Sequence, residues 1–274
     1  MKIGCCFGIE LDRLKVIQDI GYDFAESNVI GISNMEEDQF ASFLREIRSF
    51  DIPVEAANCF IPGRDVLVGE DKDYGAISEY VKKALYRSNE IGIKTIIFGS
   101  GGARHIPDGM ERSEGIKYLV HFLRDIVSPE ASKYGIRIAI EPLRAGECNA
   151  INTVAQAVEI SDMTGCDNIK VLGDVFHMLK MNETPDELLK FKGKIIHTHT
   201  SYPRERDDGI TNNRRYPKKG DDYSQYPFMK ASYEAGSERM SLEAGSPREV
   251  FDAEAAESYE VFRDTYKLII SENK

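Results

Sequence analysis

The chain of 274 residues has no tryptophan and only five cysteines, Cys5, Cys6, Cys59, Cys148 and Cys166. An odd set of scattered thiols, without CxxC or metal-ligand spacing, argues against a disulfide framework and for free thiols in a reducing cytoplasm. No apolar run approaches the roughly 18 residues that a membrane span needs. The opening MKIGCCFGIELDRLKV meets charge too early for a secretion signal. The expected location is therefore cytoplasmic, with no membrane partner. Positive charge is scarce: 35 Lys and Arg against 46 Asp and Glu leave a net charge of −11. The one basic cluster, Arg214-Arg215 with Lys218-Lys219, is flanked by acidic residues. Nucleic acid is not the expected partner on this ground, because phosphate binding draws on clustered cations. No Pro/Gly/Ser-rich linker divides the chain, which argues for a single domain over 1–274. No GxGxxG follows the first apolar run, KIGCCFG, so a dinucleotide-binding open sheet is disfavoured.

What is present is an alternation. The short apolar runs are KIGCCFG, YDFAES, PVEAANCF, KTIIFGS, RIAIEPL, KVLGDVF, KIIHTHT and RMSLEAG. Between them lie longer segments with apolar residues three and four apart, such as Val81, Ala84 and Leu85. Ser113, Asn152 and Thr184 are candidate helix caps, TPDELLKFKG reads as a helix, and residues 113–135 read as one helix. Gly21, Gly92, Gly135, Gly165 and Gly193 stand where helices should stop. Strand-helix alternation repeated eight times predicts a parallel sheet closed into a (β/α)8 TIM barrel, a fold of about 250 residues.

Four of the later runs end on an ionisable residue: Glu141, Asp174, His199 and Glu243. Such a residue is a poor choice for a strand buried on both faces, unless the strand ends converge on a shared polar centre. Side chains alternate along a strand, so Ala139 and Glu141 share one side, His197 and His199 another, and Ser241 and Glu243 a third. On each strand the polar set should face the barrel axis. Two Glu, one Asp and one His form a hard, oxygen-rich set suited to one divalent ion, Mn, Co or Mg. Each has a bland reading alone, as a helix cap or turn residue; four together at matched positions favour a metal site. His177 reads equally as a core histidine. His197 lies one layer deeper than His199 and suits a supporting role. His105 and His121 read as ordinary residues. The turn from Gly99 to Gly109 offers backbone N–H groups to an oxyanion or phosphate, or is merely a tight turn; Arg104 within it reads equally as tied to a neighbouring carboxylate.

These motifs resemble the sugar isomerase/epimerase family built on the xylose-isomerase-like barrel, and the ketohexose 3-epimerases in particular. The matching elements are Glu141-Pro142, Asp174 to His177, His197 to His199, and Ser241 to Glu243. Glu147 and the stretch Asn213 to Gly220 match two further motifs. The resemblance implies one divalent metal on Glu141, Asp174, His199 and Glu243. It also implies Glu141 and Glu243 as the catalytic acid and base, and Glu147, His177 and Arg214 as substrate contacts. The arginine loop lies further from His199 than in the epimerases, which makes Arg204 and Arg206 alternatives to Arg214. The implied enzyme is an isomerase acting on a small-molecule sugar or sugar phosphate. It would move a proton next to a carbonyl through an enediolate. The alternatives are a metal-dependent dehydratase or lyase on a keto-polyol, an abasic-site endonuclease and a non-catalytic sugar binder. The endonuclease needs further histidines, where this chain has Asn58-Cys59 and Gly99-Ser100. Exposed helix faces and the long seventh loop leave room for a homo-oligomer.

Overall fold

Each of the apolar runs becomes a parallel strand, and the strands pair in sequence order into a closed barrel, β1 to β8. They are β1 (Lys2–Gly8), β2 (Phe24–Asn28), β3 (Val54–Asn58), β4 (Thr95–Phe98), β5 (Arg137–Ile140), β6 (Ile169–Asp174), β7 (Ile195–Thr200) and β8 (Arg239–Leu242). Closure comes from β1 lying against β8, with Gly4 opposite Ser241. The computed structural model describes residues 1–70, 72–203 and 214–272. Among them no helix is long and apolar enough to cross a membrane.

The helices in chain order are α1 (Leu11–Ile20), α2 (Val29–Asn34), α3 (Glu37–Ile47), α4 (Tyr74–Ile91), α5 (Arg112–His121) and α6 (Ser128–Lys133). They continue with α7 (Val154–Thr164), α8 (Val175–Lys180), α9 (Tyr226–Ala235) and α10 (Arg248–Glu272). All five glycines expected to end helices have positive φ, the conformation that glycine adopts without a Cβ clash. The caps differ from expectation. Thr153, not Asn152, caps α7 by accepting from the Gln156 N–H. Asn152 instead donates to the carbonyls of Leu143 and Cys148. Ser113 lies inside α5, and Thr184 occupies a cap position without a capping bond. Pro185–Phe191 forms a 3₁₀ segment rather than an α-helix. The helix expected over 113–135 slips into a π-helical turn at Phe122–Val127, next to Pro129, which has no N–H to continue the ladder.

The expectation of a polar axis holds only for its upper part. Phe24, Ala56, Ile97, Ala139, Leu172 and Ile196 form an apolar cluster separate from the main core. Five of them stand two residues before Glu26, Asn58, Gly99, Glu141 and Asp174, so strand alternation stacks a polar layer on an apolar one. Ile196 breaks the parity because β7 carries one extra residue between its pairings with Val171 and Leu172. The Phe24 ring fills the space where a side chain on Gly4 would stand. Burying each large apolar side chain contributes roughly 1.5–3 kcal/mol. The lower layer thus gives the barrel a packed floor under its polar mouth.

Candidate metal centre

Strand alternation and the loop turns bring Glu141, Asp174, His199 and Glu243 together. Each offers one ligand atom, and the four atoms lie within 4.8 Å of one another. His199 Nδ1 lies 3.1 Å from Glu243 Oε2, 3.4 Å from Glu141 Oε1 and 3.9 Å from Asp174 Oδ2. Asp174 meets both readings of a strand-end carboxylate at once. Its Oδ1 caps α8, accepting from the N–H groups of Phe176 at 2.7 Å and His177 at 3.0 Å. Its Oδ2 is turned to the cluster.

The orientation of His199 is set by Glu26, a fully buried carboxylate that the sequence reading overlooked. Glu26 Oε1 takes His199 Nε2 at 2.9 Å, while Oε2 takes His197 Nε2 at 3.0 Å and the Ser241 hydroxyl at 2.6 Å. A proton on His199 Nε2 leaves Nδ1 with a lone pair aimed at three carboxylates. That nitrogen and Glu141 Oε1 are both buried without a hydrogen-bond partner. Two buried acceptors facing one point, with a carboxylate behind the imidazole, fit a divalent cation of the Mn, Co, Mg or Zn kind. Cys6 brings its sulfur within reach of Glu26 and His199. Burial holds its thiol pKa well above the ordinary value, and Glu26 raises it further. A protonated thiol is a poor ligand.

The surroundings push like groups apart. Burial raises the Glu141 pKa, against the pull of His199. Glu243 pays the same desolvation, but His199 and Arg214 outweigh it and hold it far below the usual range. Burial also works against charge on His199, yet Glu26 and Glu243 overcome it and raise its pKa well above the ordinary value, so an ion has to replace the Nδ1 proton before that nitrogen's lone pair is free. His197 is lowered by burial despite its bond to Glu26. Glu26 is itself drawn down to about 2, where the two histidines outweigh its own desolvation.

A cavity of about 520 Å³ opens above the cluster, lined among others by Glu141, Glu147, His177, Arg214 and Glu243. All of the expected substrate contacts therefore reach it. Arg214 also donates to Asp174 Oδ2 at 2.8 Å and Glu243 Oε2 at 2.5 Å. Its neighbour Tyr216 is fully buried, 3.6 Å from Cys5 Sγ, and Arg215 stacks on Tyr202, which anchors the chain just past Arg214. Glu147 accepts from Arg144 Nε at 2.7 Å. The other candidates Arg204, Arg206 and Asn213 lie outside the described residues. Arg104 is tied not to a neighbouring carboxylate but to backbone: fully buried, it donates to the carbonyls of Phe98 and Glu141. His121 pairs with Asp125 on a helix surface, and His105 is exposed. Besides Glu26, the roles of two further residues escaped the sequence reading. Asn58 donates to Glu243 Oε1 at 3.0 Å, and Gly99 makes room for the Glu141 carboxylate, which any Cβ there would strike. For Glu26 a signal did exist, an ionisable residue two places after Phe24 in the same run. It is the signal that exposed the other four.

A family model described as xylose isomerase-like TIM barrel matches residues 14–264. A D-psicose 3-epimerase of Agrobacterium fabrum is 24% identical over 215 residues, 76% of this chain and 69% of that protein. An inosose isomerase of Bacillus velezensis is 26% identical over 190 residues, 67% of this chain and 63% of that protein. Among solved structures, that of an L-ribulose 3-epimerase superposes with a TM-score of 0.80 at 17% identity, covering 99% of this chain and 96% of that one. The IOLI protein, solved with a zinc atom, superposes with a TM-score of 0.73 at 21% identity, covering 99% of both chains. At these identities the structural likeness speaks to the fold.

Proposed function

The chain belongs to the xylose isomerase-like TIM barrel family, and from that premise we propose that it is a divalent-metal-dependent sugar epimerase. Its substrate is a sugar or sugar phosphate, and its reaction is proton transfer on a carbon next to a carbonyl. The curated relatives are named as an epimerase and an isomerase, and this chain is an enzyme of that kind. The observation that carries the reading is the convergence of four donor atoms within 4.8 Å, two of them buried without partners, under a cavity.

Glu141, Asp174, His199 and Glu243 would hold the ion. When bound, it supplies electrostatic stabilisation for the negative charge that develops on the substrate's oxygens. The chain's own groups do the rest. The two catalytic carboxyls stand in unlike surroundings, the pattern expected of an acid and a base. Glu243 takes the proton from the C–H bond, and Glu141, across the cluster from it, returns one. Glu147, His177 and Arg214 position the substrate's hydroxyls along the cavity wall. Glu26 keeps the His199 ring in the orientation that presents Nδ1.

The test is a panel of free and phosphorylated ketoses and aldoses in deuterated water with added Mn, Co or Mg, followed by proton NMR. Deuterium entering the carbon next to the carbonyl, with an isomeric sugar as product, supports the reading. Loss of water to an absorbing enone or diketone assigns a dehydratase instead. Tight sugar binding without deuterium entry overturns both.

A further inference from the structure

Arg214 stands in an inconsistent set of contacts. Two of its bonds are strong: Nη1 donates to Asp174 Oδ2 and Glu243 Oε2, and the guanidinium lies 4.7 Å from the Phe176 ring centre. Others fail. Its Nε–H is buried with no acceptor. Its Nη2 faces His177 Nε2 at 2.5 Å, while the Arg144 backbone N–H faces His177 Nδ1 at 3.1 Å. An imidazole has at most one lone-pair nitrogen, so one of these two N–H donors is unmatched whichever tautomer is present. The backbone N–H of Arg144 has no freedom to leave. The Arg214 side chain does.

The two strong contacts use oxygens of the proposed metal site, since Asp174 Oδ2 and Glu243 Oε2 are the oxygens those two carboxylates turn toward His199 Nδ1, at 3.9 and 3.1 Å. An ion about 2.1 Å from those oxygens lies within about 5 Å of Nη1. In a buried, low-dielectric site two positive centres that close repel strongly. We propose that Arg214 and the divalent ion compete for Asp174 and Glu243. On this proposal, ion binding releases the arginine from those carboxylates into the cavity. This rests on the metal-site reading above and adds an order of events. The guanidinium is the resident counter-ion of the two carboxylates. The metal displaces it, and the freed fork then meets the oxygens of the substrate. Release also relieves the buried Nε–H and the donor facing His177.

Mn²⁺ titration of the full-length wild-type protein and of Arg214→Gln, by calorimetry and without substrate, tests this. The variant should bind Mn²⁺ at least tenfold more tightly, and Mn²⁺ should raise its unfolding temperature more than that of the wild type. Equal or weaker binding by the variant overturns the competition while leaving the metal site standing. No binding to either protein sinks the metal site and the competition with it. Should Arg214→Gln fail to fold, crystals of the wild-type protein grown with and without Mn²⁺ decide. Nη1 beyond hydrogen-bond distance of Asp174 and Glu243 in the Mn²⁺ form supports the proposal, and unchanged contacts overturn it.

Discussion

The two layers of the barrel axis sit two residues apart on the same strands and are built on opposite terms. The lower one, Phe24, Ala56, Ile97, Ala139, Leu172 and Ile196, is held by shape and the exclusion of water. The upper one is held by charge and by the donor or acceptor that each neighbour presents, with Glu26 alone taking bonds from three side chains. A volume error is costly below, and a polarity error is costly above. Strands that end abruptly on charged groups can therefore still pack: the apolar residue one layer down supplies the adhesion, and the charged one is left to the site.

The sharpest way to break this contrast is to change charge without shape in the upper layer. Glu243→Gln and Glu141→Gln should each lower deuterium exchange into substrate about 10²–10⁴-fold, with circular dichroism unchanged. If both retain full exchange, the layer is not catalytic. Next is Phe24→Ala in the lower layer, expected to cost about 3–5 kcal/mol in denaturant unfolding. Exchange per folded molecule should change little; a large loss would mean that the two layers are not separable. Third, Glu26→Gln keeps the shape but withdraws the negative charge behind His199. Mn²⁺ affinity in calorimetry should fall about 10–100-fold, and unchanged affinity would deny Glu26 its orienting role.

The smallest effect concerns a carboxyl outside both layers. Glu183 accepts from the Val154 N–H and, lacking the cations that hold Glu243 down, is pushed by burial up to about 7. A carboxyl whose folded pKa lies above its unfolded one costs stability once ionised. That cost is absent below the ordinary carboxylate range and grows as pH rises through about 7. Glu183→Gln should therefore raise the melting temperature at pH 8 relative to wild type and leave it unchanged at pH 4. An equal effect at both pH values would show that burial of charge is not the cause.

Much of the site was legible because Glu141, Asp174, His199 and Glu243 each interrupt an apolar run at its end. Burial makes such a choice costly unless a partner exists. Glu26 lies in the run YDFAES, which carries charge at Asp23 as well and so does not stand out as an apolar run broken only at its end. Its worth appears only when β7 and β8 are seen across the barrel. Asn58 and Gly99 carry no charge and so left no trace in the hydropathy pattern. The cap at Asn152 was misplaced by one residue, since Thr and Asn are near-equal caps and local spacing does not choose between them.

Periodicity and composition alone dictated the strand-helix alternation, the barrel and the four strand ends, because each is a local consequence of which side chains tolerate water. Three matters were left to the tertiary structure. They are which imidazole nitrogen faces the carboxylates, that the apolar layer lies beneath the polar one, and that Arg214 reaches Asp174 and Glu243 from a separate loop. These depend on residues up to 215 positions apart in the chain, such as Glu26 and Ser241. Only closure of the barrel brings such residues within hydrogen-bond range, and no local pattern encodes a distance across its axis.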